Sequence, residues 1–155
     1  MKRFPTFEDF RGSFTPLNLS IKPEDVKNWD QVNVSINDKK GTFRGMHYQS
    51  RYPQNKYIKV IRGSIIDYLY DLKTKQVLSY RLDKDNSELF VPNNYAHGFL
   101  TLQDNTIVTY LTEGQYDPQY EHSIPYTEIE QIKQNVLMHF EEDEIVITDK
   151  DKLGK

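Results

Sequence analysis

Arg44-Gly45-Met46-His47 places a cation, a glycine and a histidine in one short stretch that otherwise reads as a strand. A second histidine, His97, follows the turn signal Pro92-Asn93-Asn94 and leads into Gly98-Phe99, which sets it near a strand end. Histidine is the side chain best suited to take and return a proton near neutral pH. Either one could equally be a core histidine satisfied by a backbone carbonyl. Arg44 sharpens the choice, because an inward-facing arginine on a strand requires an anionic partner. Strict alternation sets Arg44 and His47 on opposite faces. A bulge at Gly45 would bring both to one side; without it, Arg44 serves another surface, such as a partner subunit.

Further polar residues fall on the apolar faces of neighbouring segments. Lys56 shares its face with Ile58 and Val60. It is either a strand-end lysine that snorkels to water or a cation at a barrel mouth, able to stabilise a developing enolate oxygen. Asp67 shares its face with Ile65 and Leu69. It is either an exposed strand carboxylate or an inward one that orients a histidine or pairs with Lys56. Tyr110 lies in Val108-Thr109-Tyr110-Leu111-Thr112, and in a chain with 11 tyrosines packing is the default role. Tyr116, in a loop before Asp117-Pro118, is placed to stack on a ring. His122 and His139 sit in polar surroundings and read as surface residues.

The elements that must carry these residues are mostly strands. Short β-rich runs cover residues 56–62, 64–72, 77–82, 89–91, 98–102 and 106–112. Gly63, Lys73-Thr74-Lys75, Asp83-Lys84-Asp85-Asn86, Pro92-Asn93-Asn94 and Asp104-Asn105 break them, and Asn37 to Gly41 reads as a turn. Short strands at this spacing indicate a β-sandwich or barrel. Residues 23–29 and 128–134 are the helix candidates, the first with Pro23, Glu24 and Asp25 suited to an opening turn. The acidic run 141–144 reads as a solvated loop.

Bulk composition narrows the classes. The chain has 155 residues, of which 37% are hydrophobic and 28% charged, enough for one domain, 1–155, with a proper core. A net charge of -3 offers no basic excess for general nucleic-acid binding, though a phosphorylated small molecule needs only a few placed cations. There is no cysteine, hence no disulfide framework or thiol chemistry. The first ten residues lack the apolar run of a signal peptide and no stretch approaches a membrane span, so a cytoplasmic location without membrane partners is expected.

Taken together, several motifs resemble one family. They are Arg44 to Gln49, Gln54-Asn55-Lys56, Val91-Pro92, Ala96-His97-Gly98-Phe99, Tyr110, Tyr116-Asp117-Pro118 and Glu121. Thr148-Asp149-Lys150-Asp151 near the end and Arg11-Gly12-Ser13-Phe14 near the start add to the series. In this order they are similar to dTDP-4-dehydrorhamnose 3,5-epimerase. The resemblance implies an all-β double-stranded β-helix (a cupin-like jelly roll) with minor helices, a homodimer, and no metal or organic cofactor. It implies His47 as base with Asp151 as its partner, Tyr110 as the opposing acid, and Lys56 near the sugar's keto oxygen. Arg44, His97, Glu121 and Lys150 would contact substrate, Gln31 and Asn33 would lie near the nucleotide, and Arg11 would come from the other protomer. Pro16 stands where the family usually carries a glutamate, and the chain is shorter than typical members.

The chemistry so implied needs these residue types. A 4-keto sugar has acidic hydrogens at C3 and C5. Inverting either carbon takes a base on one face, an acid on the other, and charge stabilisation at O4. No redox change occurs. Metal-binding barrels of this kind usually place His-x-His and a carboxylate on the first motif, whereas Gln49 follows His47 here, a poor ligand set for zinc or iron. Two alternatives stay open: a single-carbon epimerase on another nucleotide-linked 4-keto sugar, and a non-catalytic sugar-nucleotide-binding cupin.

Overall fold

A computed structural model describes residues 4–154. Its strands are β1 (Phe7–Asp9), β2 (Gly12–Phe14), β3 (Gln31–Asn37), β4 (Phe43–Gln49), β5 (Asn55–Arg62), β6 (Ile65–Asp71), β7 (Val77–Leu82), β8 (Glu88–Val91), β9 (Tyr95–Thr101), β10 (Thr106–Glu113) and β11 (Glu121–Ser123). Two helices follow, α1 (Glu130–His139) and α2 (Asp149–Leu153). The strands form a four-stranded sheet in the order β3-β10-β5-β8 and a five-stranded sheet in the order β11-β4-β9-β6-β7, with β1 and β2 as a separate hairpin. Every pairing within the two sheets is antiparallel. This is the jelly roll expected.

Alternation decides what each face does. Ile58, Val60 and Val108 of one sheet meet Ile65, Leu69 and Phe99 of the other between the layers. On the outside of the five-stranded sheet, Phe43, Met46, Tyr68 and Leu100 pack under Ile132 and Val136 of α1. On the outside of the four-stranded sheet, Tyr57 and Leu111 are covered by Phe4, Val26 and Trp29. Each fully buried side chain of this size contributes roughly 1.5–3 kcal/mol. With both outer faces partly covered, the space between the sheets is left for a site. Along β5 the inner positions run Lys56, Ile58, Val60, so the polar end of the interlayer space lies at Lys56.

The expected strands form, with shifted ends. β9 begins at Tyr95, where Tyr95 pairs with Asp71, so His97 lies inside the strand rather than at its entry. Asx turns shape two connections: at the β6–β7 hairpin Asp71 Oδ1 accepts from the amides of Lys73 and Thr74, and between β7 and β8, where the chain changes sheet, Asp83 Oδ1 accepts from those of Asp85 and Asn86.

The helix expected over 23–29 does not form. Val26 N donates to Pro23 O for a single turn, but the amides of Lys27 and Asn28 donate to Glu113 Oε2 at 2.6 and 3.1 Å. A carboxylate far along the chain has taken the donors a helix needs. The second helix starts after a 3-10 turn at Tyr126–Glu128 and runs past Asn135, whose side chain accepts from the Tyr68 hydroxyl instead of ending the helix. The acidic run forms an exposed 3-10 turn, Glu142–Glu144. α2 was not anticipated.

Candidate active site

β4 and β9 meet at an irregularity. Arg44 pairs with Phe99 and His47 with His97, so three steps on β4 match two on β9. This is a bulge, and it sends Arg44 and His47 to the same side. Gly45 makes it possible. Its φ is +121°, and a Cβ there would lie 2.6 Å from Gly98 Cα and 2.7 Å from His97 O. The alternation argument that separated Arg44 from His47 therefore fails at one residue.

His47 is held from below by the C-terminal segment. Phe43 N donates to Val146 O and Val146 N to Gly41 O, which lays that segment beside β4. α2 follows, capped by Thr148 Oγ1 at its start and by Gly154 in the left-handed region at its end. This carries Asp151 to 2.6 Å from His47 Nε2. Asp151 is buried and also accepts from Gly45 N at 3.0 Å and Ser123 Oγ at 3.0 Å. Burial pushes its carboxyl up, but the hydrogen bond and charge of His47, with the Gly45 and Ser123 donors, outweigh it and hold Asp151 below the usual carboxylate range. An ionised Asp151 fixes the proton on His47 Nε2 and leaves Nδ1 with the basic lone pair.

A second histidine–carboxylate pair lies beside the first. His97 Nε2 is 2.8 Å from Asp67 Oδ2, and both residues are buried. Asp67 is thus the inward carboxylate of the two readings, and it orients a histidine. Burial pushes Asp67 up, opposed by His97 and by the charge of Lys56. Burial likewise lowers the Lys56 ammonium, opposed by Asp67 and Glu121.

The four-stranded sheet supplies the facing wall. Tyr110 of β10 and Lys56 of β5 line the same space as His47, from the opposing sheet. Burial raises the Tyr110 phenol, with Arg44 opposing and Glu121 reinforcing, so it stays protonated at neutral pH. The space has two lobes that share His47, Lys56 and Tyr110. One, of about 430 Å³, reaches Arg44, His97 and Asp151. The other, of about 320 Å³, reaches Gln31, Asn33, Tyr116 and Glu121.

Lys150 stands at the rim, where its Nζ pairs with Glu121 Oε2 at 3.1 Å, and the Tyr116 hydroxyl donates to the same oxygen at 2.9 Å. Burial would raise Glu121, but the Lys150 and Tyr116 hydrogen bonds and the charge of His47 hold it below its ordinary value. Arg11 is not brought to this space. It lies in the turn between β1 and β2 with its guanidinium 2.6 Å from Asp9 Oδ2. His122 and His139 are exposed, as expected.

Sequence reasoning missed Ser123, Asn37 and the role of Gln49. Ser123 sits opposite His47 in a three-residue strand too short to carry a pattern. Asn37 holds Arg44 through a 2.8 Å bond to its Nε; its signal was the shared face with Asn33 and Ser35. Gln49 borders a small cavity beside His47, Lys56 and Glu121, but its side-chain hydrogen bonds go to the backbone of nearby loops. Its amide donates to the carbonyls of Tyr52 and Gln115 and accepts from Asp117 N, which fixes the loop bearing Tyr116. Among the described residues, no group of three or more His, Asp and Glu side chains is arranged to hold a metal ion.

A family profile described as dTDP-4-dehydrorhamnose 3,5-epimerase matches residues 3–155. The dTDP-4-dehydrorhamnose 3,5-epimerase of Methanothermobacter thermautotrophicus is 38% identical over 103 residues, which is 63% of this chain and 54% of that protein. The chain thus spans about half the length of the curated relatives it matches. Among solved structures, dTDP-4-dehydrorhamnose 3,5-epimerase from Bacillus anthracis, with TDP and PPi bound, superposes with a TM-score of 0.77 at 30% identity, covering 98% of this chain and 90% of that one. A dTDP-6-deoxy-D-glucose-3,5-epimerase from Legionella pneumophila, in complex with dTDP-4-keto-L-rhamnose, gives 0.76 at 26% identity, covering 98% and 84%.

Proposed function

The chain belongs to the dTDP-4-dehydrorhamnose 3,5-epimerase family, and on that premise we propose that it epimerises a dTDP-linked 4-keto-6-deoxy sugar by proton transfer next to the C4 carbonyl, for the assembly of surface polysaccharide sugars. The observation that carries this reading is the facing pair: a carboxylate-held imidazole on one sheet and a protonated phenol on the other, lining one space.

His47 Nδ1 takes the proton from C3 or C5, and Asp151 stabilises the imidazolium that forms. The electron pair moves to O4, where the Lys56 ammonium stabilises the enolate. Tyr110 returns a proton to the opposite face, and the configuration inverts. His97, held by Asp67 through Nε2, is a further contact toward the sugar. Arg44 supplies the fork for the diphosphate, Gln31 and Asn33 lie toward the nucleotide, and Tyr116, Glu121 and Lys150 bound the mouth. The reaction as written calls for no metal or organic cofactor. The working unit is a homodimer of one cupin-like domain per chain, 1–155, in the cytoplasm, with Arg11 reaching the partner's site. The exposed apolar residues Phe7, Phe14, Val34 and Ile36 support an interface there.

The test is solvent exchange. Incubation with dTDP-4-keto-6-deoxy-glucose in heavy water is expected to place deuterium at both C3 and C5. Label at one carbon only would assign a single-carbon epimerase. Binding without label in either position would assign a non-catalytic sugar-nucleotide-binding cupin. His47→Asn is expected to abolish exchange while leaving the melting temperature near wild type, and exchange near the wild-type rate would remove His47 from the mechanism.

A further inference from the structure

Arg44 lines the larger lobe with its guanidinium accessible, yet it is not free to turn. Its Nε donates to Asn37 Oδ1 at 2.8 Å. Asn37 is only 2% exposed, and the other end of its amide is committed. Asn37 Nδ2 donates to the Thr106 carbonyl at 3.1 Å and to Ser35 Oγ at 3.0 Å. A carbonyl oxygen can only accept, so the nitrogen must face Thr106 and the oxygen must face Arg44. The orientation of the amide is therefore determined by its surroundings. Thr106 and Ser35 belong to β10 and β3, paired strands of the four-stranded sheet, whereas Arg44 belongs to β4 of the other. Asn37 thus links the two layers at the site.

The consequence for Arg44 is geometric. With Nε tied, the guanidinium plane is fixed. Among the described residues, the two terminal nitrogens make no hydrogen bond or ion pair. They point into the lobe as a preset pair of donors, the arrangement that matches two oxygens of a phosphate.

We propose that Asn37 is a positioning residue, whose side-chain amide locks Arg44 so that its terminal nitrogens are presented as a fork to the diphosphate of the nucleotide sugar. This rests on the reading of Arg44 as the diphosphate contact. Asn37 touches no ligand itself. An arginine released from it keeps its charge but loses its aim, so binding weakens while the proton chemistry at His47 and Tyr110 is left in place.

The experiment is a double-mutant cycle on dTDP binding, read by titration calorimetry, with Asn37→Ala, Arg44→Ala and the double variant. Asn37→Ala is expected to weaken dTDP by about tenfold, as loss of a bond to a charged group does. The double variant is expected to bind no more weakly than Arg44→Ala alone. In turnover, Asn37→Ala should raise KM about tenfold with kcat within about twofold, because the binding lost is common to the ground and transition states. Asn37→Ser guards against a folding artefact: it keeps a small polar group for the strand pair but cannot reach Arg44 Nε, and it should weaken dTDP as alanine does at a melting temperature near wild type. Wild-type affinity in Asn37→Ser, or fully additive effects in the double variant, overturns the proposal. Wild-type affinity in Arg44→Ala overturns both it and the reading of Arg44. Failure of the wild-type protein to bind dTDP overturns the nucleotide-sugar reading and the proposal with it.

Discussion

At the residue scale, the roles proposed for Tyr110 and Asp151 differ and can be separated. Tyr110→Phe keeps the ring that packs in the interlayer space and removes only the hydroxyl. His47 can still form the enolate and return the proton to the face it left. Exchange should persist, and inversion should fall by about a hundredfold or more, the usual scale for loss of a general acid. Wild-type inversion in this variant would move the acid role to another group, with Tyr116 next in line. In the proposed mechanism Asp151 acts through His47, so Asp151→Asn should slow exchange about a hundredfold by releasing the imidazole from its tautomer. It should also change stability with pH. The Asp151 carboxyl is held below its ordinary 3.8 when folded. Such a group stabilises the fold fully above its unfolded value, and the gain is lost as pH falls through the folded value. The melting-temperature gap between wild type and Asp151→Asn should therefore be constant above roughly pH 5 and close below pH 3.8. A gap that stays level down to pH 2 would mean that the Asp151 carboxyl titrates alike in the folded and unfolded chain.

At the element scale, the site depends on a bulge and a very short helix. Gly45→Ala puts a Cβ 2.6 Å from Gly98 Cα, in a backbone conformation that side chains avoid. The expected cost is on the order of 3 kcal/mol, or roughly 6–12 °C in melting temperature, with loss of exchange because Arg44 and His47 no longer share a side. Melting near wild type would mean that β4 and β9 have room to part. These two elements also mark where the sequence stopped being legible. The inner faces of β5 and β6 were readable, since Lys56, Ile58, Val60 and Ile65, Asp67, Leu69 alternate without interruption. The direction of Arg44 was not, because a bulge breaks the period and Gly45 offers only permission for one. α2 spans five residues, too few for helical periodicity, and its only signals were the capping Thr148 and Gly154. The false helix at 23–29 had sound local signals. It lost to Glu113, a partner that only the folded sheet brings near.

At the scale of the whole molecule, Arg11 stands apart from the cavity, paired with Asp9 in the β1–β2 hairpin, and this bears on assembly. The β1–β2 hairpin exposes Phe7 at 60% and Phe14 at 68%, and β3 exposes Val34 and Ile36 at 63% each. β3 is an edge strand, so its backbone is open on one side. A closed pair in which each hairpin crosses to the other protomer would cover these apolar groups and carry Arg11 to the partner's mouth. Mixed dimers test this directly. Arg11→Ala and His47→Asn are each expected to be inactive alone. In a heterodimer, the Arg11→Ala protomer keeps its own His47 and receives Arg11 from its partner, so one site of the two is whole. After subunit exchange of an equal mixture, half of the dimers are mixed, and activity should recover to about a quarter of wild type. If Arg11 served its own chain, every site in the mixture would lack one of the two groups and no activity would return. A monomer by light scattering at micromolar concentration would sink the shared-site reading before any mixing is done.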